Sequence, residues 1–269
     1  MRLLQASIVA VVALSLVACR APRDPDLDER IQTHRSESKT SPKPTNPPAK
    51  NKSEPESKRK PGDPPPKGQV EQRVYSDKEV AKLMSSVSGD GNGIELAIET
   101  PDGAIKCQLD VDGAPQTVVN LIALANGRRS WRDPDTGDVS KGRFYDGLTF
   151  HRTIANFIIQ TGNPSATGAG GPGWTLTRES GLKDAYSKGG ILAMVDAGEE
   201  SHGSQFFITT RGSSSLEGRY TPFGTCDNPE LVKKIADAEK HPPKAEGKSA
   251  TRSLRPTRIT RVTLRRTAP

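Results

Sequence analysis

Apolar and polar residues alternate in short runs through the second half of this chain. Ile94 to Glu99 and Ala104 to Leu109 alternate on either side of Pro101-Asp102-Gly103, which predicts a β-hairpin. Further strand-like runs lie at 148–154, 157–161, 191–195 and 205–210, then near Thr221 to Cys226. Arg258, Arg261 and Arg265 alternate with Ile259, Val262 and Leu264, which predicts a closing strand over 258–264 with its arginines outward. Two segments repeat at helical spacing instead. Val118, Leu121, Ile122 and Ala125 share a face after Ala114-Pro115, and Gly127 stops that helix. Leu231, Val232 and Ile235 share a face after Pro229. A shorter helix, N-capped by Ser76, is predicted as far as Met84. Residues 128–143 and 241–253 read as loops. Many short strands, two helices and Gly-rich turns predict a mostly β fold, a closed barrel with helical caps.

The first twenty residues break this pattern. Arg2 precedes an almost wholly apolar run from Leu3 to Val17, too short to span a membrane, which reads as an export signal over residues 1–18. Leu16-Val17-Ala18-Cys19 resembles the lipobox of bacterial lipoproteins. That resemblance implies cleavage before Cys19 and its acylation, hence a membrane anchor facing the periplasm. The other reading is an ordinary signal peptide with an incidental Cys. Arg20 stands where Asp would retain such a protein at the inner membrane, which favours the outer membrane.

Residues 19–72 are rich in Pro, Lys, Ser, Asp and Glu and nearly free of aliphatics. Such a segment cannot bury enough surface to offset its ordering entropy, so it is expected to be a disordered tether. A flexible coil of that length reaches on the order of 40 Å. Residues 73–92 then form a short helix and linker, and 93–269 the folded domain.

Charge and cysteines add less. The net charge of +7 resides in residues 244–269, which hold eight Lys/Arg against one Glu. A solvated strand explains those arginines better than a nucleic-acid partner, and none is expected. Of three cysteines, Cys19 carries the lipid. Cys107 and Cys226 admit two readings: a disulfide permitted by an oxidising compartment, or two small buried hydrophobes.

The chemistry concentrates in two stretches. Phe150-His151-Arg152 is followed by Phe157-Ile158-Ile159-Gln160, and Gly203-Ser204-Gln205 by Phe206-Phe207-Ile208. They combine one permanent charge with neutral amides and greasy side chains. His34, His151, His202 and His241 show no metal-ligand spacing. Ser204 sits in no nucleophile elbow, and Gly168 to Gly173 lacks the Lys-Ser/Thr of a phosphate loop and reads as a turn. No cofactor is expected. The combination suits a reaction in which no covalent bond changes partners.

These two stretches, the run Gly168-Ala169-Gly170-Gly171-Pro172-Gly173, and Gly190-Ile191-Leu192-Ala193-Met194 resemble the cyclophilin-type peptidyl-prolyl isomerases. Leu216-Glu217-Gly218-Arg219-Tyr220 and Phe223-Gly224 continue the resemblance, which covers roughly 93–266. It implies an eight-stranded antiparallel barrel capped by two α-helices. It implies Arg152, Phe157, Gln160 and Phe207 as catalytic residues, with Arg152 stabilising the twisted amide and Gln160 orienting it. Phe157, Ile158, Phe207 and Leu216 would line the proline slot, with Tyr220 at its rim. Gln205 and the backbone of Asp196 would hold the residues before proline, and Ala197 and Gly168 a neighbouring sub-pocket. The implied partners are Pro-containing unfolded polypeptides, and a monomer is expected. Ser215, Tyr220, Ile158 and Asp196 depart from the Trp, His, Met and Asn common in the family. The Asp196 carboxylate is expected to disfavour acidic substrates, and Ser215 to weaken cyclosporin binding. The competing reading is a non-catalytic module that holds Pro-containing segments as a chaperone or scaffold.

Overall fold

In the computed structural model, which describes residues 64–65, 70–196, 200–240 and 250–268, the predicted hairpin forms β2 (Gly93–Thr100) and β3 (Gly103–Leu109). Period-two spacing sends Ile94, Leu96 and Ile98 inward with Ile105, Cys107 and Leu109, and all six are buried. Each such fully buried aliphatic contributes about 1.5–3 kcal/mol. The expected signal peptide, Cys19, nearly all of the expected tether and Ala197 lie outside the described residues.

Twelve strands are described. β1 is Glu71–Arg73, and β4 (Trp131–Arg132) and β5 (Val139–Ser140) pair as a separate short hairpin. β6 (Arg152–Ile154) and β7 (Ile158–Thr161) follow, then β8 (Trp174–Thr177), β9 (Ile191–Asp196), β10 (Glu200–Thr209), β11 (Pro222–Cys226) and β12 (Arg261–Thr267). The main sheet has ten strands in the order β1-β8-β10-β9-β11-β3-β2-β12, and β7 pairs both β10 and β6.

Three α-helices are described. α1 (Asp77–Ser85) is closed by a capping box between Ser76 and Glu79. α2 (Pro115–Ala125) is buried from Thr117 to Ala125, and α3 (Pro229–Asp237) buries Leu231, Val232, Ile235 and Ala236. The Asn228 side chain accepts from Leu231 N and starts α3.

The expected closed ring of eight strands is seen in part: among the described residues the named strand ladders end at β12 and β6, and an isolated antiparallel bridge between Thr149 and Arg258 lies between them. The chain leading into each strand makes the junction instead. Gly147 N donates to Ile259 O at 2.8 Å, Ile259 N to Leu148 O at 2.8 Å, and Phe150 N to Thr257 O at 3.0 Å. A first correction is the start of the final strand, at Arg261 rather than 258: Arg258 and Ile259 pair with Thr149 and Leu148, and only from Thr260, whose N donates to Glu99 O at 2.8 Å, does the chain turn to β2. A second correction concerns the tether. Glu71 and Gln72, assigned to it by composition, lie in β1 at the edge of the sheet. Third, residues 128–143 are not all loop, because β4 and β5 fall within them. Along the final strand the arginines face outward as predicted, with Arg261 and Arg265 exposed and Val262 and Leu264 buried.

Cys107 and Cys226 stand opposite each other on β3 and β11 and are joined as a disulfide. Between the two sequence readings, the register decides: facing positions on paired strands bring the two side chains together.

Candidate active site

Both faces of β7 and β10 are apolar, and they do different things. Ile159, Phe206 and Ile208 point into the main core with Leu192 and Met194 of β9. The alternate residues Ile158, Gln160, Gln205 and Phe207 point to the opposite face. Phe157, Ile158, Phe207 and Leu216 are 6%, 4%, 3% and 2% exposed, yet none belongs to the main core cluster. They are buried apart from that core.

Strand register assembles the polar groups. Arg152 faces Gln160 across β6 and β7, Gln160 faces Phe207 across β7 and β10, and Phe207 faces Ala193 across β10 and β9. A relay of hydrogen bonds runs along this row. Arg152 Nη1 donates to Gln160 Oε1 at 3.2 Å, and Gln160 Nε2 donates to Gln205 Oε1 at 3.0 Å. Gln205 Nε2 then donates to Gly168 O at 3.1 Å and Gly170 O at 2.8 Å. Each amide is thereby fixed in orientation, and the chain of bonds ends on the guanidinium.

The remaining predicted residues surround this row. Phe157 is drawn against the end of β10, where Thr210 N donates to Phe157 O at 2.8 Å. Tyr220 packs edge-on against Phe207, ring centroids 5.1 Å apart at 84°. Burial raises the Tyr220 phenol above its ordinary range, although Arg219, Arg152 and Arg178 pull the other way. Leu216 is buried on a 3-10 turn (Ser214–Leu216), while Ser215 beside it is exposed and shares a 2.8 Å hydrogen bond with Ser213. Ala197 lies outside the described residues, so its sub-pocket is not described.

Asp196 ends β9 with its carboxylate turned to Arg178, Nη2 to Oδ2 2.6 Å. Burial pushes that carboxyl up to about 7, outweighing the pull of Arg178 and Arg219. The carboxylate expected to disfavour acidic substrates thus stands against a cation. His151, beside Arg152, is held down at about 4 by burial and by that neighbouring charge. It is neutral at pH 7 and adds no second charge.

Two contributors escaped the sequence reading. Asn163 shapes the Gly168–Gly170 turn: its Nδ2 donates to Ala169 O and, at 3.1 Å, to Gly170 O, while its Oδ1 accepts Thr167 N at 3.1 Å. The dipeptide Asn163-Pro164 is a turn signal that marks this place. Arg178 carried no local signal, because only the fold brings it to Asp196. Among the described residues no cluster of His, Cys, Asp or Glu is arranged to hold a metal ion.

The arrangement sets four buried apolar side chains near one guanidinium and two oriented amides. The family model for cyclophilin type peptidyl-prolyl cis-trans isomerase/CLD matches residues 95–264. Peptidyl-prolyl cis-trans isomerase B of Streptomyces anulatus is 40% identical over 141 residues, covering 52% of this chain and 80% of that protein. Probable peptidyl-prolyl cis-trans isomerase A of Mycobacterium leprae is 39% identical over 141 residues, covering 52% and 77%. A solved cyclophilin type peptidyl-prolyl cis-trans isomerase of Cryptosporidium parvum superposes with a TM-score of 0.53 at 25% identity, covering 66% of this chain and all of that one. The same protein solved in the presence of the dipeptide Ala-Pro gives 0.52 at 26% identity, covering 64% and 99%. The chain belongs to the cyclophilin-type peptidyl-prolyl cis-trans isomerase family, and its activity is that of the family.

Proposed function

We propose that this isomerase acts on Pro-containing segments of exported proteins at the cell envelope, with Arg152 as the group that stabilises the transition state. The Xaa-Pro amide is held planar by a rotation barrier of about 18–20 kcal/mol. Its isomers differ by only about 0.5–1 kcal/mol, so a catalyst must favour the twisted amide over both planar forms. Twisting localises the nitrogen lone pair, which then accepts a hydrogen bond. A guanidinium beside the proline nitrogen rewards that state alone. Phe157, Ile158, Phe207 and Leu216 would grip the ring while the preceding carbonyl swings, and Gln205 and the Asp196 backbone would hold the residues before it. Tyr220 would close the rim.

The observation that carries this reading is the row Arg152–Gln160–Gln205, hydrogen-bonded end to end beside buried side chains that the core does not use. Turnover separates catalysis from simple holding. A protease-coupled assay on an Ala-Pro peptide should show isomerisation well above the uncatalysed rate. A protein that binds the peptide without accelerating it would establish the holding module instead.

The envelope location is supported by the apolar run Leu3 to Val17, the lipobox-like Leu16-Val17-Ala18-Cys19, and a disulfide, which an oxidising compartment permits. The Pro-rich tether would then hold the domain away from the membrane. Among the described residues no helix is long and apolar enough to cross a membrane. Cys19→Ala should move the protein from the membrane to the soluble fraction in an expressing bacterium. Unchanged membrane association would count against the lipid anchor.

A further inference from the structure

The segment ahead of the first predicted strand is built into the back of this site. β1 pairs in parallel with β8, Glu71 facing Trp174 and Arg73 facing Leu176, and Gln72 Nε2 donates to Thr177 Oγ1 at 3.0 Å. Tyr75 follows, 3% exposed. Its hydroxyl donates to Asn120 Oδ1 at 3.0 Å, and the same oxygen accepts Trp174 Nε1 at 2.9 Å. Asn120 Nδ2 donates onward to Gly203 O, two residues before Gln205. The Tyr75 backbone is held in both directions by Gln116: N to Oε1 at 2.6 Å and Nε2 to O at 2.9 Å. The Arg129 guanidinium lies over both rings, 5.7 Å from the Tyr75 centroid and 4.4 Å from Trp174.

A second hold lies further upstream. Pro64 and Pro65 are buried against Gly173, where an added Cβ would sit 3.4 Å from Pro65 Cδ and 3.5 Å from Pro64 Cβ. Arg132 Nε donates to Pro65 O at 2.5 Å, and Arg132 N to Pro172 O at 3.0 Å. The chain from Pro172 to Thr177 is thus gripped from outside. The residues just before it, Gly168 and Gly170, supply both acceptors of Gln205 Nε2.

We infer that Pro64, Pro65 and residues 70–85 act as a positioning strap for Gln205, so that the point where the upstream chain joins the domain is coupled to the substrate-holding amide. The strap reaches Gln205 by two routes, through Asn120 to Gly203 and through Gly173 to the Gly168–Gly170 turn. This rests on the reading that Gln205 holds substrate. None of the strap residues touches the reacting bond, so Tyr75 and Arg132 are positioning residues.

The test uses the full chain and its Tyr75→Ala, Tyr75→Phe, Arg132→Ala and Gln205→Ala variants. Two readouts are compared: the NMR resonances and exchange of the Gln205 side-chain amide, and kcat/KM on an Ala-Pro peptide below the melting temperature. Tyr75→Ala should shift the Gln205 amide signals, speed their exchange and lower kcat/KM by about tenfold, since small misplacements of positioning groups cost that order of rate. Tyr75→Phe keeps the ring against its cations but loses the hydroxyl's bond to Asn120, so its Gln205 signals and kcat/KM should fall between those of the wild type and Tyr75→Ala. Arg132→Ala should give a weaker form of the same signature. Unmoved Gln205 signals in folded Tyr75→Ala overturn the inference. If that variant does not fold, unmoved signals in Arg132→Ala overturn it. Signals that move while Gln205→Ala itself leaves kcat/KM unchanged would uphold the strap and remove Gln205 from substrate binding.

Discussion

Reducing the Cys107–Cys226 disulfide should cost this domain a large part of its stability. The two sulfurs join residues 119 apart in sequence, on neighbouring strands in the middle of the sheet order. In the chain-entropy treatment, opening a loop of that length returns about 16 cal/mol/K to the unfolded chain, or roughly 5 kcal/mol at 25 °C. A typical domain has only about 5–15 kcal/mol in total. The folded state loses little at the same moment, because Cys107 remains buried and the β3–β11 ladder remains paired. The shift should therefore appear chiefly as a lower unfolding midpoint. The assay is urea unfolding followed by tryptophan fluorescence, with and without reductant, beside a free-thiol count on the unreduced, unfolded protein. Trp174 is buried and should report global unfolding. The expected result is no free thiol from Cys107 or Cys226 before reduction and a midpoint lower by 1 M urea or more after it, taking a slope of about 1–3 kcal/mol/M. Two free thiols, or a midpoint indifferent to reductant, would refute the reasoning.

Further expectations concern the site. Phe206 and Phe207 are adjacent and almost equally buried, at 1% and 3%, but Phe206 faces the core and Phe207 the opposite side of the sheet, where the proline slot is proposed. Phe206→Ala should cost about 3–5 kcal/mol of stability, as core truncations do. Phe207→Ala should cost less stability and most of kcat/KM; equal melting losses with equal activity losses would sink the two-face description. Asp196 gives a pH prediction. Its carboxyl, raised by burial from 3.8 to about 7, keeps a proton in the folded state that the unfolded chain has already released. Stability should therefore fall as pH rises from 4 to 7 and level off above, by roughly 4 kcal/mol at most. Asp196→Asn should flatten that slope in chemical unfolding at several pH values, and an identical slope in the variant would remove Asp196 as its source.

The hairpin β2–β3 and the helices α2 and α3 were legible in the sequence from their regular apolar spacing, the strands β7, β9 and β11 from short apolar runs, and α1, which buries no residue, from its Ser76 N-cap. The way the barrel edges meet was not: residues 258–259 pair with 148–149 before the chain turns to β2, a change of partner that no periodicity marks. β8 was hidden because Trp174–Thr177 follows directly on the Gly168–Gly173 turn. β1 was missed because its three polar residues pair with β8 through the backbone and bury no aliphatic side chain, and its composition is that of the segment before it. Within the site, the spacing of Arg152 and Gln160 is a register statement: eight residues with a tight turn at Asn156 place them opposite each other on β6 and β7. The alternation could not tell slot from core, since Phe207 and Phe206 differ only in which side of the sheet they face. The family resemblance supplied that distinction, and the separation of Phe157, Ile158, Phe207 and Leu216 from the core cluster gives it a physical basis.

The central claim is that Arg152 stabilises the twisted amide more than either planar form. The most direct measurement is peptide affinity and on-enzyme isomerisation rate in the same sample, by NMR exchange on an Ala-Pro peptide, for the wild type and Arg152→Ala. The account predicts nearly unchanged affinity and an isomerisation rate lower by a hundredfold or more, equivalent to about 3 kcal/mol of lost transition-state stabilisation. An Arg152→Ala protein that isomerises bound peptide as fast as the wild type, or one whose rate loss is wholly a loss of affinity, would contradict it.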